Sequence, residues 1–559
     1  MKKFSVLLLF LVSLCISSKG ETEIWSKIEL GFKSDIQYEN PLYQLGHFYA
    51  TFTSPSGKKK KINGFWDGDS VFKIRFSPDE VGIWTYVTSC SDEKNKGLDL
   101  QEGEFECVAS KSDHLLFKKG AIQRSKGNFH LTYADGTPFF LTACTAWNGA
   151  LKSTEEEWDK YLKQRSANNY NVIQFVTTQW RGSEKDSQGE VAFTGSGKIQ
   201  LNVDFFKRMD SKIDEINAHG LVAAPVLLWA LPVGAGREFS PGYYLPENEA
   251  ILLAKYMVAR FGGNQVIWFL GGDGQYTDPY EQRWKTIGRA VFGEEHPGIV
   301  AQHPQGSSWI GEIYKEEHWL DIVGYQSSHN KEQRVVDWIN KGPMANQWDK
   351  LPPRPLINLE PNYEEIHFRF TAEDVRNASY WSIFATPLAG ITYGANGIWP
   401  WIQKEGDLIE NHGNPGGRGP STWEKSIEFP GSLQIGYLSK FIQQFAWWDL
   451  KPSLDLLAHQ PGEEVFNHFV SLVGNEDLST LLAYTPIQQE IQIRNPMNHQ
   501  YTARWFDPVK ALYHEASVET VKGLIKISPP TKQDYVLVLQ ADSHRMIVPT
   551  RAKTSSEGG

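Results

Sequence analysis

Gln265-Val266-Ile267-Trp268-Phe269-Leu270-Gly271-Gly272-Asp273 is an apolar run that ends on a carboxylate. Pro355-Leu356-Ile357-Asn358-Leu359-Glu360 repeats the pattern further along the chain. Short apolar runs bounded by glycine and polar residues are the mark of strands covered on both faces, as in a parallel sheet. Each run therefore reads as a buried strand that delivers one acid at its C-terminal tip. Those tips are where a (β/α)₈ barrel keeps its reactive groups.

Counting outward from these runs fills in the rest of such a barrel. Residues 139–147 read as strand one. Ser153-Thr154-Glu155-Glu156 is a capping box that opens a helix to about residue 167. Strand two is 170–179, and a helix over 203–219 stops at Gly220. Strand three is 221–229, a helix covers 247–261, strand four is 265–273, and a helix covers 279–291. Strands five, six and seven are 298–303, 320–326 and 354–360. A helix over 372–384 leads into strand eight, 390–399. Eight strands with intervening helices predict a central (β/α)₈ TIM barrel over 113–447 with long top loops. A doubly wound sheet would not need eight repeats. No Gly-rich dinucleotide fingerprint follows any strand, so no cofactor is expected.

The flanks read differently. Residues 21–112 alternate as short strands, for example 47–52 and 83–87, separated by Ser54-Pro55-Ser56-Gly57 and Trp66-Asp67-Gly68-Asp69. An N-terminal β-sandwich without a helix is expected there. Residues 448–545 return to short strands and predict a C-terminal β-sandwich-like domain, followed by a tail over 546–559. Both flanking domains are expected to buttress the barrel, with Trp447 and Trp448 packing at the last junction.

Of 559 residues, 40% are hydrophobic and 22% charged, and the net charge is −10, so there is no basic field to hold nucleic acid or an anionic membrane. The one basic run, Lys58 to Lys61, reads as a solvated hairpin turn. Met1-Lys2-Lys3, an apolar stretch over 4–16, and Ser17, Ser18 and Gly20 form a signal peptide over 1–20. Export to the periplasm or the medium is expected. Cys15 raises a surface-lipoprotein alternative, but Leu14 stands where lipid attachment calls for a small residue. No later run reaches membrane-spanning length. Cys90, Cys107 and Cys144 do not make a disulfide scaffold, and a Cys90–Cys107 pairing stays open. No oligomeric state is assigned.

On this count Asp273 ends strand four and Glu360 ends strand seven. Hydrolysing an acetal needs a proton donor at the leaving oxygen and a carboxylate at the anomeric carbon. Two nearby acids push their pKa values apart, so one stays protonated while the other is ionised. Placement on strands four and seven suits a retaining glycosidase, with carboxyl groups about 5–5.5 Å apart, Asp273 as acid/base and Glu360 as nucleophile. Other acids fit less well: Asp321 starts strand six, Glu364 and Glu365 lie past strand seven, and Asp278 sits in a loop.

The remaining tips carry side chains suited to sugars, whose C–H faces stack on aromatic rings and whose hydroxyls pair with amides and imidazoles. The substrate-binding candidates are Trp147 and Asn148 after strand one, Gln179 and Trp180 after strand two, and Trp229 ending strand three. His303, Gln326, His329 and Tyr363 follow strands five to seven, and Tyr393 and Trp399 belong to strand eight. Arg181, Gln305, Tyr325, Asn358, Asn396 and Trp401 stand beside them. Twenty tryptophans suit a carbohydrate substrate.

These motifs resemble the apiosidase-like barrel family, which includes glycoside hydrolase family 140. The resemblance spans about 113–445. It rests on strand one (Phe140-Leu141-Thr142-Ala143-Cys144-Thr145-Ala146-Trp147), Gly271-Gly272-Asp273, His303-Pro304 and Gln326-Ser327-Ser328-His329. It rests also on Glu360-Pro361-Asn362-Tyr363 and Tyr393-Gly394-Ala395-Asn396-Gly397-Ile398-Trp399. It implies a retaining mechanism with an Asp acid/base and a Glu nucleophile, matching Asp273 and Glu360, and action on a plant- or algal-type polysaccharide or oligosaccharide. Gly64-Phe65-Trp66-Asp67-Gly68 and Gly82-Ile83-Trp84-Thr85-Tyr86 resemble the β-sandwich often found ahead of such barrels, and the last domain resembles the β-domain often found behind them. One departure is Ala143-Cys144, where the family commonly carries a Gly-Asp pair. A metal-dependent barrel hydrolase would need a His-x-His on an early strand, which is missing, so no metal site is expected. A catalytically inactive carbohydrate-binding protein on a barrel scaffold is the remaining alternative, and the presence of both acids argues against it. Sugar, linkage and endo or exo action depend on the loops 181–200 and 402–422. The second, with Asn414-Pro415-Gly416-Gly417, is long enough to cover the pocket.

Overall fold

Eight parallel strands form one sheet: β1 Leu141–Thr145, β2 Val172–Val176, β3 Val222–Trp229, β4 Ile267–Gly272, β5 Ile299–Gln302, β6 Ile322–Tyr325, β7 Leu356–Asn358 and β8 Gly390–Tyr393. The computed structural model describes residues 21–293, 298–412, 421–521 and 523–541. The expected signal peptide, the tail and Asn414-Pro415-Gly416-Gly417 lie outside the described residues. From β1 to β7 each strand pairs with the next, and β1 also pairs with β8, Leu141 opposite Gly390. Between β7 and β8 the ring closes just beyond the tips. There the Glu364 N–H donates to the Gly394 carbonyl and the Asn396 N–H to the Glu364 carbonyl, both at 2.9 Å. All eight strands are buried along their length, as their apolar composition requires.

The strands are shorter than the apolar runs. β7 stops at Asn358, so Glu360 stands two residues past it, and β8 stops at Tyr393 rather than Trp399. Apolar character persists beyond the ladder because residues after the tips pack into the loops above the barrel.

Helices α1 Glu155–Ala167, α2 Val203–Ala218, α3 Glu247–Phe261, α4 Glu281–Phe292, α5 Gln333–Lys341, α6 Ala372–Phe384 and α7 Pro430–Ile442 surround the sheet. The capping box of α1 lies one residue later than expected: Thr154 Oγ1 accepts from the Glu157 N–H, and Glu157 Oε2 from the Thr154 N–H. Thr371 and Asp374 cap α6 the same way. The β5–β6 connection, residues 303–321, is built of turns without a helix. Helix α7 has no counterpart in the sequence expectation, because its glycine, serine and aromatic content hides the period.

A small antiparallel sheet, Ile122–Arg124, Leu131–Tyr133 and Pro138–Phe139, precedes β1. Arg124 lies 3.9 Å from Asp321, the residue that starts β6, which places this sheet at the N-terminal end of the barrel, away from the tips.

The C-terminal residues form a six-stranded antiparallel sheet facing a three-stranded one. The core between them includes Leu472, Leu481, Ile493, Trp505, Ile525, Leu537 and Leu539. The sandwich packs on α6 and α7. Arg376 of α6 makes a buried pair with Asp534 at 2.7 Å, Tyr380 stacks on Tyr484, and Phe441 stacks on Phe506. Trp447 packs against Phe140, while Trp448 is exposed.

The chain divides into two compact units at Lys111 and Ser112. The first has five- and three-stranded sheets around Phe48, Phe52, Phe72, Ile74, Trp84 and Phe105. It contains one short helix, Pro41–Gln44, where none was expected; Asn40 caps it and Pro41 pre-sets its first turn. Strand pairing sets Gly82 opposite Cys107, with Cys90 at the far end of the same strand, so the two thiols cannot bond and all three described cysteines are free.

Candidate active site

Glu360 is buried above β7. Its placement begins with Asn358, whose side chain is buried in the strand. Asn358 Nδ2 donates to Ser327 Oγ and to Ser382 Oγ, both at 2.9 Å, and its Oδ1 accepts from the Glu360 N–H at 3.3 Å. The Leu359 N–H donates to the Tyr325 carbonyl, which ties the tip to β6. The Glu360 carboxylate then meets two imidazoles. His329 Nε2 lies 2.9 Å from Oε1, and His303 Nε2 lies 3.3 Å from Oε2. Burial alone would raise the Glu360 pKa. The two imidazoles, His303 and His329, outweigh it and hold the carboxyl well below the usual range.

Asp273 directly follows β4 in a left-handed conformation, with φ +47°. An aspartate tolerates this better than most residues, and the turn swings the side chain over the sheet. Its neighbours Gly271 and Gly274 leave room for Tyr276, whose hydroxyl would lie within 2.5 Å of a Cβ at either position. Asp273 keeps an accessible face, yet dense walls strip most of its hydration. That desolvation, reinforced by the charge of Glu360 and opposed by Arg181, pushes its pKa well above the aspartate range. The two acids are thus pulled apart in the directions an acid and a nucleophile need.

An aromatic wall stands beside them. Trp180 packs on Trp229 at 4.2 Å, Trp147 meets Trp229 and His303 edge-on at 5.5 Å, and Trp399 lies 6.3 Å from Trp180. The wall rests on the β3–β4 register, which sets Trp229 opposite Gly272. Trp147 Nε1 donates to the Tyr363 hydroxyl at 3.1 Å, and Tyr363 packs under His329 at 4.4 Å.

The other sequence candidates divide by what their polar atoms do. Asn148 spends its side chain within the protein: Oδ1 accepts from Trp180 Nε1 at 2.7 Å, and Nδ2 donates to the Gly182 and Pro400 carbonyls. Gln179 holds the loop above it by pairing with Ala192 and Phe193. Tyr393 is buried and donates to Glu364 at 2.7 Å, where it joins β8 to the β7 loop. By contrast Trp229 Nε1, Trp399 Nε1, Gln326 Oε1 and His329 Nδ1 are buried with no protein partner. Free polar atoms of this kind are what a bound sugar would satisfy.

Two further residues belong to the site. Arg181 interacts electrostatically with Asp273, and its Nε is buried without a partner. Gly234, at φ +86°, lets the guanidinium pass where a Cβ would come within 3.3 Å. His412 packs on Trp399 at 5.0 Å, and burial and the nearby Arg181 push its pKa down to about 4. A charge in the run Gln179-Trp180-Arg181 was the available signal for the first. The loop around His412 offered none. That loop is fixed to the β2 loop: Asn411 Nδ2 donates to the Arg181 carbonyl, and Glu410 accepts from Lys152 Nζ and the Glu184 N–H. Cys144, at the departure on strand one, faces outward to Arg165 of α1 and not to these acids.

The catalytic domain of the apiosidase-like family matches residues 125–449. The chain belongs to the apiosidase-like family. The match covers every barrel strand of this apiosidase-like protein and both acids. Residues 21–91 match a domain of unknown function. Among solved structures, a glycoside hydrolase is 23% identical with a TM-score of 0.66, covering 76% of this chain and 98% of its own. A family 5 glycoside hydrolase from Bacteroides vulgatus ATCC 8482 is 22% identical with a TM-score of 0.66, covering 76% and 95%. Another protein from Bacteroides vulgatus ATCC 8482 is 16% identical with a TM-score of 0.67, covering 93% and 99%. The apiosidase-like chain therefore shares the glycoside hydrolase fold. No curated protein matches it.

Proposed function

We propose that the protein is an exported retaining glycoside hydrolase that cleaves a plant- or algal-type polysaccharide or its oligosaccharides by double displacement. Asp273 protonates the leaving oxygen while Glu360 attacks the anomeric carbon. A glycosyl-enzyme forms, and Asp273 then takes a proton from the water that releases it. The observation that carries the reading is the opposite environment of the two acids: Glu360 is held ionised by two histidines, and Asp273 is pushed toward its neutral form. The aromatic wall with unpartnered indole N–H groups supports a carbohydrate ligand. The basic, then apolar, then small-residue start of the sequence supports export.

A panel of plant and algal glycans, read by chromatography of the products, tests this. Wild-type protein is expected to release sugars from at least one glycan. Asp273→Asn and Glu360→Ala should each lose at least ~100-fold in turnover, as expected for groups acting directly on the reacting atoms, with unchanged circular dichroism. Wild-type rates in either variant would refute the assignment.

A further inference from the structure

His303 is fully buried at the tip of β5, edge-on to Trp147 and 6.3 Å from Phe269. It has no surface to offer a sugar. Its two ring nitrogens are both aimed at the acids. The Asp273 peptide N–H donates to Nδ1 at 3.0 Å, and Nε2 faces Glu360 Oε2 at 3.3 Å. A peptide N–H can only donate, so Nδ1 must carry a lone pair. The ring proton therefore sits on Nε2, which lies 3.3 Å from the Glu360 carboxylate without yet forming a hydrogen bond. Protonating Nδ1 would set two donors against each other at 3.0 Å. The backbone fixes the arrangement further, since the His303 N–H donates to the Gly271 carbonyl and the Gly274 N–H to the His303 carbonyl.

We propose that His303 is a positioning residue, an imidazole on which both acids are mounted, so that one ring sets the placement of Asp273 relative to Glu360. The inference rests on the roles given above to those two acids. His303 touches neither the sugar nor the water. Its Nδ1 anchors the left-handed turn that carries Asp273, and its Nε2–H favours ionised Glu360. The 3.3 Å contact is longer than the 2.9 Å contact from His329 and is free to tighten when substrate arrives. Of the charged and titratable groups around them, Glu360 also faces His329, Tyr363 and Asp273, and Asp273 also faces Glu360, Arg181 and Tyr276. None of these replaces the acceptor at Nδ1.

Two variants separate the two ends of the ring. In His303→Asn, the amide oxygen can still accept from the Asp273 N–H but no donor reaches Glu360. In His303→Gln, the amide N–H can reach Glu360 while the Asp273 anchor is lost. His303→Asn should move the acidic limb of kcat/KM up by about one pH unit, the equivalent of one hydrogen bond to a charged group. His303→Gln should leave that limb in place and lower kcat roughly tenfold or more through a misplaced acid. The readout is the pH profile on a glycan the wild type cleaves. The tautomer is read separately by nitrogen NMR of the full chain labelled at histidine, with the His303→Asn spectrum assigning the signal. A ring whose Nδ1 bears a lone pair and whose proton sits on Nε2 is expected. A proton found on Nδ1, or two variants with the same uniform loss and unmoved limbs, would overturn the proposal. Either failure with Asp273→Asn and Glu360→Ala still inactive removes only the role of His303. Activity in those two variants would remove the underlying reading.

Discussion

Glu360 and Asp273 are both carboxyls above strand tips, yet their surroundings differ in sign. Glu360 receives two imidazoles. Asp273 receives a carboxylate neighbour and little water, opposed by the charge of Arg181. The difference has a consequence for stability that needs no substrate. A carboxyl whose folded pKa is raised favours the fold while it is protonated. That contribution is full below the ordinary aspartate range and is lost as pH rises through the raised value. Asp273→Asn keeps the neutral form at all pH values, so it should raise Tm at pH 7. The gain should shrink as the pH falls from the raised value toward about 4 and vanish below it, where unfolded aspartate is protonated as well. A Tm at pH 7 equal to or below that of wild type would mean that Asp273 is not held under strain. Activity traded for stability in this way is expected where a charge is buried for chemistry.

The elements show where residue patterning suffices and where it does not. Glycine at position 272 looks like a simple turn residue in the run Gly271-Gly272-Asp273, but it has a packing role. A Cβ there would lie 2.6 Å from the Trp229 ring and 2.8 Å from Val226. Gly272→Ala should cost about 1–3 kcal/mol through overpacking, measured by denaturant unfolding, and should lower kcat/KM by displacing the aromatic wall. An unchanged stability would show that Trp229 can move freely. Most of the barrel was legible in the sequence because buried parallel strands are continuous apolar runs, and α1, α2 and α6 open on capping side chains. The strand ends were less so, since Leu359 and the residues after Tyr393 stay buried without staying in the sheet. Both acids could be read from their position after apolar runs. The split among the polar candidates could not. Asn148, Gln179 and Tyr393 have the same chemistry as a sugar ligand, and only the fold reveals that their atoms are spent on Trp180, the 192–193 loop and Glu364. His303 is subtler still, since its partners lie thirty residues back, at the Asp273 amide, and on β7's loop.

At the scale of the molecule, the barrel and the C-terminal sandwich share a buried ionic seam. Arg376 Nε and Nη2 donate to the two Asp534 oxygens at 2.9 and 2.7 Å, Nη1 donates to Gln434 Oε1, and the Tyr484 hydroxyl donates to Asp534. Such a pair gains little over apolar packing, but removing one member strands the other. Arg376→Ala should therefore destabilise the unit by about 3–5 kcal/mol, seen as a lowered denaturation midpoint, and Asp534→Ala on top should restore part of the loss. Additive losses would show that the seam is solvated. The same seam explains why a β-domain with its own core still supports the barrel: it covers Tyr380 and Phe441, which would otherwise lie bare on α6 and α7.

The nucleophile assignment carries the whole mechanism, and azide rescue of Glu360→Ala tests it most directly. On a glycan that the wild type cleaves, the variant should be inactive in buffer. Azide, small enough to enter the space left by the carboxylate, should restore turnover and yield a glycosyl azide of inverted configuration at the anomeric carbon. Wild-type turnover of Glu360→Ala without azide would contradict the account.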